Sequence, residues 1–536
     1  MPDTAKTGWA RPAWSVLPLA LLIIVPLGVV MSGFLSPQGD DWAHLLHYVL
    51  PRVLLNTAVL SVGVGCGVLV LGVGLAWLTA VCEFPGRRFF SWALMLPMAM
   101  PAYVLAFVHV GLLDFSGPVQ SSLRAVWGGP VWFPPIRSAW GVVLVMSLAL
   151  YPYVYLLARQ AFLTQGRRML EAAQTLGMGH RRAFWEVAVP MSRPWWVAGL
   201  TLALMETLAD FGTVSIFNFD TFTTAIYKAW FSMFNLPLAS QLASLLVFLV
   251  LGLAWAEQRA RGQRAYAGRL GVGERIVLSG GWRWLAMAVC GLVWLMAFAV
   301  PIVQVVVWVA SVWREDLDIR YGSFVWHSML LAGLSACVVV SAALWLAFVR
   351  RMRRDAITLG LTRVATMGYA VPGMVLAVGV YIPVAWLDKQ IAALAASLGL
   401  ALPWLLGGTI IVMLLGLVSR FLAVGFGPLD AGMKRITLSQ EEAARTLGLS
   451  PQAMLRRLHL PMLSGSVLSA ALLVFVDVMK EIPITLMTRP FGWDTLAVRV
   501  FEMTSEGMWE RAALPALCIV LVGLLPVIFL TRESES

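Results

Sequence analysis

The sequence predicts an all-α integral membrane protein, with about twelve transmembrane helices in two parallel six-helix repeats. Three observations predict this. Apolar runs of helix length recur along the chain, basic residues gather in short segments between them, and one offset of 271 residues aligns the chain with itself.

The apolar runs set the class. The 536 residues are 60% hydrophobic and only 12% charged, with a mean hydropathy of +0.81. Soluble domains carry about 25% charged residues. About 20 apolar residues cross a bilayer as a helix, and lipid offers the backbone no other hydrogen-bond partner. In the first half, spans are expected near 14–34, 53–82, 90–113, 138–163, 195–218 and 239–256. In the second half they are expected near 284–312, 326–349, 359–387, 407–428, 463–486 and 512–531. The first run, from Trp14 to Phe34, has no clear small-x-small cleavage pattern and reads as a retained span.

The basic residues set the orientation. Most of the 39 Lys and Arg fall on alternate segments that include both ends of the chain. Lys and Arg mark the cytoplasmic side, so both termini are expected there. Arg350, Arg351, Arg353 and Arg354 form one anchor. The run from Arg259 to Arg283 forms another, and 258–283 is read as the linker between halves 1–257 and 284–536. The net charge of +11 is therefore a topology signal and not a nucleic-acid surface. The five cysteines lie in or at the ends of apolar runs, with no metal-type spacing and no disulfide framework.

The repeat is read from residues that share the offset. Cys66 meets Cys337, Leu75-Ala76 meets Leu346-Ala347, and Pro101 meets Pro372. Glu171-Ala172-Ala173 meets Glu442-Ala443-Ala444, Gly177 meets Gly448, and Pro190 meets Pro461. The acids Glu206 and Asp210 meet Asp477 and Glu481. One match is chance-level, but one gapless offset for all of them is not. Six spans per copy make the copies parallel, a design that places a substrate path at the repeat interface.

Two segments between spans stand out: MLEAAQTLGMGHRRAFWEVAVP from Met169 to Pro190, and EEAARTLGLSPQAMLRRLHLP from Glu441 to Pro461. Each reads as helix, glycine break and second short helix. Gly177 and Gly448 can take the left-handed backbone that ends a helix. Ser450 can cap the next helix, with Pro451 at its first position. The alanines leave a shallow surface. Leu176, Phe184 and Trp185 supply apolar anchors in one copy, and Leu447, Met454 and Leu455 in the other.

Both loops resemble the EAA loop of ABC importer permeases. The shared pattern is Glu-Ala-Ala, a Gly four residues after the second Ala, and a later apolar-Pro. The resemblance implies a type I importer permease fold. It also implies that Glu171, Ala172, Ala173, Gly177, Pro190, Glu442, Ala443, Ala444, Gly448 and Pro461 dock onto ATPase subunits. Three further segments, 100–120, 209–231 and 480–503, look like ferric-iron uptake permeases. Permeases for thiamine, sulfate, phosphonate or polyamine share parts of that pattern. The implied partners are two ATP-binding subunits, an extracytoplasmic solute-binding protein and the lipid of a bacterial inner membrane. ATP and Mg would be used by the partner, with no cofactor on this chain. Consistently, none of the five lysines follows a glycine, so no phosphate-binding Gly-Lys-Ser/Thr is present.

The acids at membrane depth carry two readings. Glu206 and Asp210 are four apart and share a helical face, as do Asp477 and Glu481. Intramembrane carboxylates are rare, and oxygen ligands suit a hard cation such as Fe³⁺, so the four are candidates to line the path. Pairing with Lys480, or capping of a neighbouring helix, is the structural alternative. His44 and His47, three apart, read as a surface pair more readily than a metal site. His109 and Tyr103 read as core. Pro97, Pro101, Pro372 and Pro383 interrupt two equivalent spans. Two rivals are weighed. An ion-gradient-driven secondary transporter shares the parallel repeat but has no use for paired EAA loops. A membrane enzyme needs a cluster of nucleophile, base or metal ligands at membrane depth, which the sequence does not offer.

Overall fold

The computed structural model describes residues 12–35, 39–129, 132–166, 173, 175, 177–261, 275–317, 319–353, 355–399 and 406–535. Twelve principal helices fall on the twelve expected spans. They are α1 (Pro12–Ser32), α2 (Leu50–Val81), α3 (Ala102–Leu113), α4 (Ala139–Ala161), α5 (Arg193–Ala209) and α6 (Leu236–Arg261). The second set is α7 (Gly281–Asp316), α8 (Ile319–Met352), α9 (Gly373–Ser397), α10 (Ile410–Arg435), α11 (Ser464–Met479) and α12 (Trp509–Glu535).

Two of the twelve are shorter than a full span. Among the described residues, ten helices are long and apolar enough to cross a bilayer alone. The number rises to eleven if Pro451–Met462 and Ser464–Met479, bent by 76°, count as one. The expected spans at 195–218 and 463–486 are the short ones, because α5 has 17 residues and α11 has 16. The first stops at Asp210 and the second at Lys480, next to Glu481, and each restarts as a shorter helix, Gly212–Ile216 or Pro483–Thr488.

The repeat is visible in the backbone. A helix from Arg87 to Ala93 leads into a 3₁₀ turn, Leu96–Ala99, then Pro101 caps α3. A helix from Ala356 to Ala365 leads into a 3₁₀ turn, Thr366–Ala370, then Pro372 caps α9. Pro101 and Pro372 share extended dihedrals (φ −57°, ψ 145° and φ −56°, ψ 141°). Their carbonyls accept from Val104 and Leu105, and from Val375 and Leu376. The prolines thus start the buried helices after a break. Pro383 sits inside α9.

By packing, the described residues form two units. One comprises α1, Ala229–Ser244 and the chain from α8 through Val498. The other comprises α2–α5, the rest of α6, α7 and Arg499 onward through α12. The halves 1–257 and 284–536 are thus copies in sequence, while each packing unit draws on both. The expected linker 258–283 is also partly structured. α6 runs to Arg261, and Ile276–Val277 pairs in parallel with Cys82–Glu83.

In the first unit, specific contacts seat α1. Pro26 has no N–H, so it leaves the Leu22 carbonyl without its helical donor. Ser419 Oγ of α10 donates to that carbonyl at 3.0 Å. Gly379 of α9 lies against Pro26, where a Cβ would come within 2.8 Å of the proline Cβ. Trp345 Nε1 donates to Ser15 Oγ at 3.1 Å. In the second unit, Gly63, Gly67 and Gly72 of α2 face Val143, Ser147 and Val154 of α4. Such small-residue stripes let helix backbones approach closely in lipid, where packing replaces the hydrophobic effect.

Candidate functional site

The second Glu-Ala-Ala…Gly loop is described throughout. Thr437 starts its first helix, Leu438–Thr446, with a capping box closed by Gln440, whose Oε1 accepts from Thr437 N at 3.0 Å. Gly448 ends it at φ +76°. Leu449 N donates to Ala444 O at 3.1 Å and Gly448 N to Arg445 O at 2.9 Å, closing the last carbonyls. Ser450 Oγ then accepts from Ala453 N at 3.3 Å, with Pro451 at the first position of the next helix.

The first loop has the same turn. Gly177 stands at φ +79°, and Met178 N donates to Ala173 O at 3.0 Å. Those atoms are the counterparts, 271 residues earlier, of the Leu449–Ala444 bond. Ala173 and Ala444 are both buried. Glu171, Ala172 and Leu176 lie outside the described residues. Pro190 and Pro461 fall in matching short turns, Val189–Met191 and Leu460–Met462.

Exposure divides the proposed anchors. Leu447 is 81% exposed and Trp185 63%, while Glu442 and Ala443 also face out. Met454 is buried, Leu455 is partly buried, and Phe184 packs edge-on against Trp77 at 4.7 Å. The first group can meet another protein. The second holds each loop to its own helices.

The sequence reading missed the residue that ties the second loop down. It is Glu441, the neighbour of the expected Glu442. Glu441 is buried and accepts from Arg351 Nε at 2.8 Å, while Arg351 Nη2 donates to Ile436 O at 2.8 Å. His459 Nε2 lies 3.3 Å from the same carboxylate oxygen, outside hydrogen-bonding geometry. Burial pushes the His459 imidazole below its ordinary value, against the pull of Glu441. A signal was available. At the repeat offset, Arg351, Glu441 and His459 correspond to Ala80, Leu170 and Ala188. Three coordinated changes from apolar to ionisable mark residues that act together.

The two acidic breaks are equivalent. Asp210 Oδ1 accepts from Val214 N at 3.1 Å, and its Oδ2 from Thr213 Oγ1 at 2.9 Å. Glu481 Oε1 accepts from Ile484 N at 2.9 Å. Its Oε2 accepts from Thr485 N at 3.0 Å and Thr485 Oγ1 at 3.1 Å. Each carboxylate thus caps the short helix that follows, at the positive end of its dipole. Arg420 Nη1, also buried, lies 3.8 Å from Glu481 Oε1. Asp477 pairs with Lys480 at 2.7 Å, and Glu206 is half-buried one turn before Asp210. Both structural readings of the acids are therefore met, capping at two positions and Lys480 pairing at a third.

The remaining nominees are settled by burial. His44 and His47 are exposed, with rings 5.1 and 6.3 Å from Tyr48. His109 is buried, with Nδ1 2.8 Å from Leu105 O. Among the described residues, no group of three metal-ligating side chains occurs.

A duplicated helical bundle with a matched glycine-turn loop in each copy is the arrangement of a transport permease. The chain belongs to the family of binding-protein-dependent transport system inner membrane components, which it matches at residues 69–256 and 340–532. It is an ABC importer permease of the multi-pass inner-membrane kind, with both copies in one chain. It is 26% identical over 493 residues to the Fe(3+)-transport system permease protein FbpB 2 of Haemophilus influenzae, covering 90% of each chain. It is 28% identical over 225 residues to the molybdenum transport system permease protein ModB of Escherichia coli, covering 40% of this chain and 96% of that one. A chain of a solved bacterial alginate ABC transporter overlaps 47% of this chain at 14% identity, with a TM-score of 0.36.

Proposed function

We propose that this permease imports ferric iron and that its two loops couple it to partner ATPase subunits. The observation that carries the substrate is the relative named for Fe(3+) transport, alike over 90% of both chains. The molybdenum permease aligns with 40% of this chain, which makes an oxyanion the second reading. Thiamine, sulfate, phosphonate and polyamine stay in the test panel.

The mechanism follows from the loops. Gly177 and Gly448 make the turn of each loop, with Leu447 exposed beside the second turn and Trp185 exposed in the segment Phe184–Ala188 that follows the first. Two ATP-binding subunits, holding ATP and Mg, would grip one loop each on the cytoplasmic side, where both termini also lie. Their closure would move the loops as rigid bodies and pull on the joined helices. A solute-binding protein would deliver substrate to the outer face. Glu206, Asp210, Asp477 and Glu481 would line the path, with Asp210 and Glu481 also fixing the short helices beside it.

Uptake into vesicles bearing the whole complex decides between substrates. Ferric iron taken up with ATP, and molybdate, thiamine, sulfate, phosphonate and polyamine not, is the expected result. Uptake by the chain alone on a proton gradient would sink the coupling reading. Loss of ATPase co-purification on Gly177→Trp with Gly448→Trp is the companion result.

A further inference from the structure

Where α8 and α10 end, the structure holds a charged cavity of about 250 Å³ that the transport reading does not use. Arg350, Arg351, Asp430 and Lys434 line it, with Met433 and Leu359 among its apolar lining. Asp430 Oδ1 meets Arg350 Nη1 at 3.2 Å, and Asp430 Oδ2 meets Lys434 Nζ at 2.7 Å. Arg351 is matched by Glu441. One carboxylate therefore serves two cations, which leaves one positive charge in excess. The exposed Arg435 adds to the same sign.

Its height in the fold is informative. Both helices are apolar over the windows before this point, each with a mean hydropathy of 2.2. The cations stand in the last turns of α8 and α10, where hydrocarbon gives way to headgroups. The cavity lies below the roughly 300–1,000 Å³ range of small-molecule pockets. It suits a phosphodiester, whose single negative charge equals the excess. Arg350 presents a planar fork suited to phosphate, and Lys434 a mobile point charge. The first copy lacks the arrangement, since Thr79, Ala80, Arg159 and Leu163 stand at the corresponding positions.

We propose that this cavity binds the phosphate group of an anionic phospholipid, seated between Arg350 and Lys434. Basic pockets between membrane helices at this level recognise such headgroups, each cation contributing about fivefold in affinity. The test uses the assembled complex in detergent, observed by native mass spectrometry. Phosphatidylglycerol and phosphatidylcholine are titrated separately, with inorganic phosphate as competitor. One retained phosphatidylglycerol per chain is expected, and Lys434→Gln should weaken it about fivefold. Lys434 is 67% exposed, so this variant keeps its fold. Asp430→Asn should bind about fivefold tighter, because it frees both cations. A merely structural pocket would respond to that change in the opposite direction. Displacement of the lipid by millimolar phosphate would assign the same site to a soluble phosphate. Equal retention of both lipids, or affinities unmoved in both variants, overturns the proposal.

Discussion

Removing the Glu441 carboxylate should free the second loop from the end of α8. The side chains of Glu441 and Arg351 are 4% and 12% exposed. Breaking a buried pair from one side costs about 3–5 kcal/mol, because the remaining charge is left without its partner. Arg351 keeps its bond to Ile436 O and some contact with water, so the low end applies, about 3 kcal/mol. That is roughly two powers of ten in the opening equilibrium of the loop. The first copy supplies the control. Arg351→Ala, Glu441→Leu and His459→Ala together install the residues found at Ala80, Leu170 and Ala188. Replacing a buried ion pair by apolar residues is often near neutral. The triple variant loses the donor to Ile436 O, about 1 kcal/mol. Hydrogen exchange of the Leu438–Thr446 amides, measured in the assembled complex, reads these openings directly. Glu441→Ala should exchange about a hundredfold faster than the native chain, and the triple variant less than tenfold faster. Unchanged exchange in Glu441→Ala would refute the staple. A triple variant as labile as the single would refute the charge argument.

The same cluster predicts a pH dependence. The folded His459 pKa lies below its ordinary 6.5, so unfolded chains take up the proton first as pH falls. Its contribution to stability is complete above pH 6.5 and is lost as pH drops through the depressed value; melting of the complex should show that slope, and His459→Gln should remove it. At Gly448 no atom lies within 4 Å of an added Cβ, so only the positive φ opposes a side chain. Gly448→Val should therefore cost about 1–2 kcal/mol and reduce coupled ATPase activity, while Gly448→Asn should be tolerated. Glu481→Ala strands two backbone donors at the head of Pro483–Thr488 and should cost about 2–4 kcal/mol in melting, with Asp210→Ala milder because it strands one. Uptake that survives neutral substitution of all four acids in assembled complexes would remove them from the substrate path.

Backbone chemistry was the legible part of this chain. Gly448, Ser450 and Pro451 act locally, so their spacing alone announced a helix end and restart. Pro101 and Pro372 did the same for α3 and α9. Packing partners were not legible, because nearly every span is apolar and hydropathy does not say which helix meets which. The seat of α1 depends on a freed carbonyl at Leu22 and a hydroxyl at Ser419, 397 residues away. Glu441 was hidden for a related reason. Adjacent helical residues point about 100° apart, and which of Glu441 and Glu442 turns inward is set by Arg351, 90 residues earlier. The acidic breaks were half legible. The acids were plain, but the expected spans 195–218 and 463–486 ran straight through them, and the amides that occupy Asp210 and Glu481 appear only in the fold.

The two copies therefore agree in backbone and differ in charge, and the difference constrains mechanism. Both keep the glycine turn, the proline break and the acidic cap, the features that set where rigid pieces begin and end. Only the second adds Arg351, Glu441 and His459 under its loop. If matched ATPases push both loops with similar force, the loop with the buried staple moves with α8, whereas the first is held at that point by apolar packing such as Phe184 on Trp77. An apolar contact is indifferent to protons, but a staple containing a depressed histidine is not. Mild acid should then slacken the second arm before the first. Transport at low pH should fail with ATP hydrolysis still running, because one motor would be pulling on a loosened joint. Hydrolysis and uptake declining together would mean that the arms answer acid alike, and the charge asymmetry would have no mechanical consequence.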